Sequence, residues 1–263
     1  MHDKTARFRE LHASGCFVIP NPWDIGSAKL LEQLGFPALA TTSSGFAWSR
    51  GLPDNRVPLD DVLAHLRAIS AAVEVPVNAD FEGGFAAAPD DVAKNVAAAS
   101  ETGIAGLSIE DSTGDAAHPL FDFALSIERI RAARAATELV LVARCEAYLV
   151  GRPDLDEVLR RLTAYADAGA DCLYAPGVRD LDEIRAIVNA VAPKPVNVLV
   201  SSGFTTVAAL REIGVRRISV GGALARTAWT GFLAAAEEIA KEGTFTALGK
   251  ALPTPDMNAR FAR

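Results

Sequence analysis

Four apolar runs in this chain end in side chains that could share a site. Thr41-Thr42-Ser43-Ser44-Gly45-Phe46 closes one run and Asn78-Ala79-Asp80-Phe81-Glu82-Gly83-Gly84 the next. Ile109-Glu110-Asp111 and Ala143-Arg144-Cys145-Glu146 close the other two. Neighbouring carboxylates are costly unless a proton or a cation intervenes. An oxygen-only donor set, with no histidine at any run's end, favours Mg2+ or Mn2+ over zinc. The same residues could instead be ion pairs of Asp80, Glu110 and Glu146 with Arg144 that cap loops, and position alone leaves both readings open. Ser43, Ser44 and Gly45 offer hydroxyls and approachable backbone N–H groups, a nest for a carboxylate or phosphonate.

Other chemistries find less support. None of the lysines (Lys4, Lys29, Lys94, Lys194, Lys241 and Lys250) ends a run, which argues against Schiff-base catalysis. Of His2, His12, His65 and His118, only His118 falls in a loop on the side of the polar clusters. It is a candidate general acid or base, or a solvated loop histidine. No G-x-S-x-G elbow occurs.

The elements that must carry these residues alternate from end to end. Short apolar runs at 16–20, 38–42, 76–80, 106–110, 139–144, 172–175, 195–200 and 217–221 are each followed by a helical pattern, as at 90–101, 154–168 and 205–213. Asp24, Asp90, Asp154, Asp180 and Thr205 stand where helices would start, and Gly35, Gly103, Gly169 and Gly214 where they would stop. Eight strand–helix units without a linker predict a single (β/α)8 TIM barrel over residues 1–263. A doubly wound sheet would want a Gly-rich turn after the first strand, and Asn21-Pro22-Trp23-Asp24 is not one. The last residues, about 241–263, lie outside the eight units as a helical C-terminal extension.

Composition agrees with this class. The chain has 263 residues, 26 basic against 33 acidic, a net charge of −7, and half of its residues are apolar. That balance argues against nucleic acid and against an anionic membrane surface, and no apolar run is long enough to span a bilayer. Cys16, Cys145 and Cys172 show no C-x-x-C spacing and read as buried free thiols. The charged start, Met1 to Glu10, has no signal-peptide core, so a cytoplasmic protein is expected.

With these residues in view, the chain resembles the isocitrate lyase/phosphoenolpyruvate mutase superfamily from about 17 to 240. The likeness is sharpest at Leu141-Val142-Ala143-Arg144-Cys145-Glu146-Ala147-Tyr148, similar to that family's I-A-R-x-[DE]-A stretch. It extends to Ser44-Gly45, Leu52-Pro53-Asp54-Asn55, Asn78-Ala79-Asp80 and Ile109-Glu110-Asp111. The resemblance implies chemistry on 2-oxo acids or their enolates with Mg2+. It implies that Ser43, Ser44, Gly45 and Phe46 hold a substrate carboxylate or phosphonate, and that Asp54, Asp80, Glu110 and Asn78 hold the metal. Arg144 would grip the substrate carboxylate and the developing enolate, beside Glu110.

Two departures stand out. Asn78 occupies what reads as the first place of the family's D-x-D, which would weaken metal binding unless Glu82 compensates. The loop 111–120 is short and lacks both the K-[KR]-C-G-H segment of the lyases and the longer gate of the phosphonomutases. The expected activity is therefore a Mg2+-dependent carbon–carbon lyase on a small 2-hydroxy or 2-oxo (di)carboxylic acid, with His118 or Tyr148 as proton donor. The alternatives are P–C chemistry, as a phosphonomutase or phosphonopyruvate hydrolase, and a non-catalytic 2-oxo-acid binder. By resemblance a homodimer or homotetramer is expected, the tail packing on a neighbouring subunit.

Overall fold

The computed structural model describes residues 4–262; Met1 to Asp3, where the charged start begins, and Arg263 lie outside them. The eight expected strands are present: β1 Phe17–Ile19, β2 Leu39–Ala40, β3 Val77–Asp80, β4 Gly106–Glu110, β5 Val140–Arg144, β6 Cys172–Tyr174, β7 Val196–Leu199 and β8 Arg217–Ser219. They form one all-parallel sheet in the order β1-β8-β7-β6-β5-β4-β3-β2. Ala40 N donates to Pro20 O (3.1 Å) across the remaining seam, so the sheet closes into the (β/α)8 barrel.

The helices are α1 Lys4–Ala13, α2 Ile25–Gln33, α3 Ser43–Ser49, α4 Leu59–Ala72, α5 Pro89–Ser100, α6 Phe123–Ala136, α7 Leu155–Asp167, α8 Leu181–Val191, α9 Val207–Glu212, α10 Ala223–Glu242 and α11 Thr254–Phe261. Asp24, Asp154 and Asp180 cap α2, α7 and α8 as their positions suggested. Two expected caps shift by a residue or two. Pro89 opens α5, so Asp90 lies in its first turn, and Thr206 rather than Thr205 accepts from Ala209 N.

Alternation along each strand divides the packing. Outward residues such as Val77, Leu107, Leu141 and Ile218 meet the helices in the large core. Inward residues are smaller or polar: Asn78 and Asp80 on β3, Ser108 on β4, Asn197 on β7, and Arg217 and Ser219 on β8. Helix α1, which periodicity did not single out, closes the barrel's N-terminal end with the fully buried Phe8. A Cβ on Gly106 would sit 2.7 Å from the Phe8 ring and 2.8 Å from Val140 O, which is why this strand position is glycine.

After α10 the chain makes a short 3-10 turn and then α11, which lies on α2 of its own chain, with Gln33 Nε2 donating to Arg260 O. The tail leaves Phe245, Leu248, Leu252 and Phe261 exposed. Among the described residues all three cysteines are free, and no helix is long and apolar enough to cross a membrane.

Candidate active site

The carboxyl ends of β3, β4 and β5 converge on one guanidinium. Register sets Glu110 opposite Arg144, and both point inward as the last residues of their strands. Arg144 Nη1 meets Asp80 Oδ1 at 2.7 Å, Nη2 meets Glu110 Oε2 at 3.1 Å, and Nε donates to Glu146 Oε1 at 2.9 Å. The ion-pair arrangement that position left open is thus present. It takes up the donors that were expected to grip a substrate.

Each partner is itself held. Asp80 Oδ2 accepts from Ser43 N (3.0 Å), while Thr41 Oγ1 accepts from Asp80 N (2.9 Å). Asp111 Oδ1 accepts from Glu146 N at 2.8 Å. The other oxygen of Asp111 accepts from Tyr165 Oη (2.6 Å) and Arg161 Nη1 (3.0 Å), so a buried ion pair behind the sheet fixes the turn after β5. Arg129, 1% exposed, donates to the carbonyls of Gly83, Ala86 and Ala87 and pins the loop that carries Glu82.

Acid outnumbers base here. Burial, with Asp80 and Asp54 nearby, pushes the Glu82 carboxyl up to about 8. Burial also raises Asp54, whose carboxylate accepts from the Ser43 side chain, and holds Glu110 well above the usual carboxylate range against the pull of Arg144. Asp54, Asp80, Glu82 and Glu110 give a hard, oxygen-only, charge-rich donor set of the kind that suits Mg2+. Among the described residues no three such groups already converge as ligands, because Asp80, Glu110 and Glu146 face Arg144.

Two openings that share Asp54 in their walls serve this cluster. A shaft of about 170 Å3 runs between Ser43, Ser44, Asp54, Asp80, Arg144 and Tyr174. A wider one of about 550 Å3 lies beside it, between Glu82, Glu110 and the Ser112-Thr113-Gly114 turn.

The expected site residues divide accordingly. Ser43, Ser44, Asp54, Asp80, Glu110 and Arg144 come together. Asn78 does not. It points inward like Asp80 but two residues earlier, hence lower in the barrel, and its Oδ1 accepts from Arg217 Nη1 at 3.2 Å. The mouth position is taken by Glu82, so the acidic pair on this segment is Asp80 and Glu82, one step along from the pair read in the sequence. Gly45 and Phe46 also turn away. The segment opens α3, where Gly45 N donates to Thr42 Oγ1 and the Phe46 ring stacks on His65 at 3.7 Å. The expected nest is therefore a helix turn whose N–H groups are largely used.

Both candidate proton donors stand apart. His118 is solvent-exposed, its Nδ1 3.4 Å from Asp115 Oδ2. The Tyr148 hydroxyl is hydrogen-bonded to Glu183, and burial, then that contact, raises it to about 12. Tyr174 also lines the shaft, its hydroxyl hydrogen-bonded to Ser219 and its ring 5.2 Å from the Arg144 guanidinium. Its inward register on β6, opposite Arg144, is the sequence signal that marks it.

A family model described as phosphoenolpyruvate phosphomutase matches residues 8–240. The chain belongs to the isocitrate lyase/phosphoenolpyruvate mutase superfamily. It is 38% identical over 217 residues to protein Rv1998c of Mycobacterium tuberculosis, covering 81% of each chain. It is 30% identical to an oxaloacetate decarboxylase of Pseudomonas entomophila, over 71% of this chain and 67% of that one. A Burkholderia cenocepacia J2315 crystal structure, assigned as a lyase/mutase, superposes with a TM-score of 0.95 at 49% identity, covering 99% of this chain and 96% of that one. A phosphonopyruvate hydrolase in complex with oxalate and Mg2+ superposes with a TM-score of 0.85 at 28% identity, over 97% and 93%. The superfamily's members are lyases and phosphonomutases.

Proposed function

We propose that this protein is a Mg2+-dependent carbon–carbon lyase that cleaves a small 2-hydroxy or 2-oxo dicarboxylic acid through an enolate. The observation that carries the reading is the Arg144 guanidinium, set among Asp80, Glu110 and Glu146 at the ends of three adjacent strands and facing a shaft large enough for a small acid. Asp54, Asp80, Glu82 and Glu110 would hold the metal. Bound there, Mg2+ supplies a Lewis acid that polarises the substrate's carbonyl or hydroxyl oxygen and lowers the energy of enolate charge.

The chain's own groups do the rest. Arg144, fixed from three sides, places positive charge where the enolate develops and needs no reorganisation when it forms. The Ser43 and Ser44 hydroxyls orient the acid at the upper wall. Tyr174, kept protonated by burial that pushes it up to about 12, offers its Oη–H to the enolate carbon in place of His118 and Tyr148. The short loop after β4, exposed from Gly114 to His118, leaves the wider opening accessible to water. That suits cleavage better than a mutase, whose transferred group must be shielded.

The test is release of pyruvate, glyoxylate or phosphate from a panel of C4–C6 2-hydroxy and 2-oxo diacids plus phosphonopyruvate, with and without Mg2+. Metal-dependent turnover of a diacid supports the lyase. Phosphate release replaces it with P–C chemistry, the activity of the similar hydrolase. Binding without turnover across the panel replaces it with a non-catalytic 2-oxo-acid binder.

We also infer a homodimer or homotetramer, built on the apolar side chains that α10 exposes at Phe232 and Leu233 and the tail exposes at Leu248 and Leu252. Elution at the monomer mass of 27.7 kDa would overturn this.

A further inference from the structure

The shaft below Arg144 ends on a second arginine. Arg217, the first residue of β8, faces inward at the shaft's lower wall and is 3% exposed. Its Nη1 donates to Asn78 Oδ1, its Nε has no partner among the described residues, and none of their carboxylates forms a salt bridge with it. Asn197, its register partner on β7, donates Nδ2 to Ser219 Oγ (2.9 Å), but the Asn197 Oδ1 is likewise unpartnered. Beneath, the Phe8 ring closes the floor 5.9 Å from the guanidinium.

Other buried arginines are satisfied. Arg144 has three carboxylates, Arg161 has Asp111 and Glu157, and Arg129 has three carbonyls. A buried cation without a counter-ion costs several kcal/mol. A water in the shaft would leave the charge unmatched. A carboxylate descending the shaft would answer the charge of the guanidinium that lines it.

We propose that Arg217 forms the floor of an anion subsite that receives the second carboxylate of the ligand, selecting dicarboxylates over monocarboxylates with the same reactive end. The inference rests on the mouth being a carboxylate site, but not on which bond the protein breaks. The ligand is compact, because a cavity of about 170 Å3 admits a small acid and little more.

The test is calorimetric titration, in the presence of Mg2+, with malate and with lactate, which differ only by the distal carboxylate. Wild type is expected to prefer malate. Arg217→Met is expected to cost malate about tenfold to hundredfold in affinity, the range for a hydrogen bond to a charged group, while lactate stays within about twofold. Asn78→Asp keeps the arginine and gives it a built-in carboxylate, so it is expected to depress malate selectively too, and it decides the question alone if Arg217→Met fails to fold. Equal affinity of wild type for the two acids, or a malate-to-lactate ratio unchanged in the folded variants, overturns the subsite and leaves an internal water only. If wild type binds neither acid, the carboxylate reading of the mouth falls first and the subsite falls with it.

Discussion

Arg144 and Arg217 both point into the same barrel, yet their surroundings are opposite. At the mouth, carboxyl groups are in excess: Arg144 is ringed by Asp80, Glu110 and Glu146, with Glu82 and Asp54 close by. At the floor, the positive charge is in excess, since Arg217 has an amide oxygen and an aromatic ring for company. The mouth therefore asks for a cation and the floor for an anion. A metal-bound dicarboxylate would meet both demands along one axis.

The sharpest way to break this contrast is to remove each arginine and compare kcat with KM. Arg144→Met deletes the charge that faces the enolate, and kcat on the substrate found by the panel should fall by about 10²–10³-fold, the cost of losing one preorganised donor. Arg217→Met touches only the distal end, so its loss should appear in KM with kcat within about tenfold. Equal patterns in the two variants would mean that mouth and floor act as one undivided binding surface.

The next largest effect lies behind the mouth. Asp111→Asn leaves Arg161, 7% exposed at its side chain, with a neutral amide on one side and Glu157 as its remaining carboxylate. Breaking a buried pair by removing one partner typically costs about 3–5 kcal/mol, and because Glu157 still faces Arg161 the lowered urea midpoint should reflect the low end of that range. Turnover should fall less than in Arg144→Met, because the asparagine oxygen can still accept from the Glu146 backbone N–H. An unchanged midpoint would show that the Asp111 network does not hold the turn after β5.

How much of this was legible in the sequence follows from what each residue's signal depends on. The barrel was readable because outward strand faces are uniformly apolar and the turns after α2, α5, α7 and α9 need the positive φ that Gly35, Gly103, Gly169 and Gly214 adopt. Arg144, Asp80 and Glu110 were readable because a charged residue that ends an apolar strand can reach solvent only at the barrel's mouth. Asn78 was misplaced because motif matching counts positions, whereas depth in a barrel is set by register: two residues along a strand is about 6.6 Å of height. His118 and Tyr148 were favoured for residue type, but their direction is decided by Asp115 and Glu183, which no spacing reveals. Arg217 stayed hidden in the run Val215-Arg216-Arg217-Ile218-Ser219. There, alternation sends one arginine out to Gly15 O and the other into the barrel.

The reassignment from Asn78 to Glu82 gives a third prediction. Added Mg2+ should raise the melting temperature and a chelator should reverse it, the gain reaching about 2.7 kcal/mol at a metal concentration a hundred times Kd. Glu82→Gln should weaken Mg2+ about tenfold, whereas Asn78→Ala should leave it within about twofold because that side chain answers to Arg217. The reverse ranking would put the metal lower in the barrel and return Asn78 to it.

The smallest effect belongs to the floor. His12 of α1 donates Nδ1–H to Phe8 O (2.8 Å), and its Nε2 is buried without a partner among the described residues. Burial, reinforced by the Arg217 charge, lowers its pKa to about 4 from an ordinary 6.5. In that window the unfolded chain binds a proton that the folded one refuses. Stability from this site is therefore full above about 6.5 and is lost as pH falls toward 4. His12→Leu should flatten the acid side of the urea-midpoint profile by on the order of 1 kcal/mol without altering it at pH 8. His65, lowered to about 4 by burial alone against Asp24's opposing pull, should keep its share of the slope in that variant. A profile unmoved by His12→Leu would mean that water reaches α1 and screens it from Arg217. The floor's surplus of positive charge would then be smaller than the mouth's surplus of negative charge, and the dicarboxylate axis would lose its lower pole.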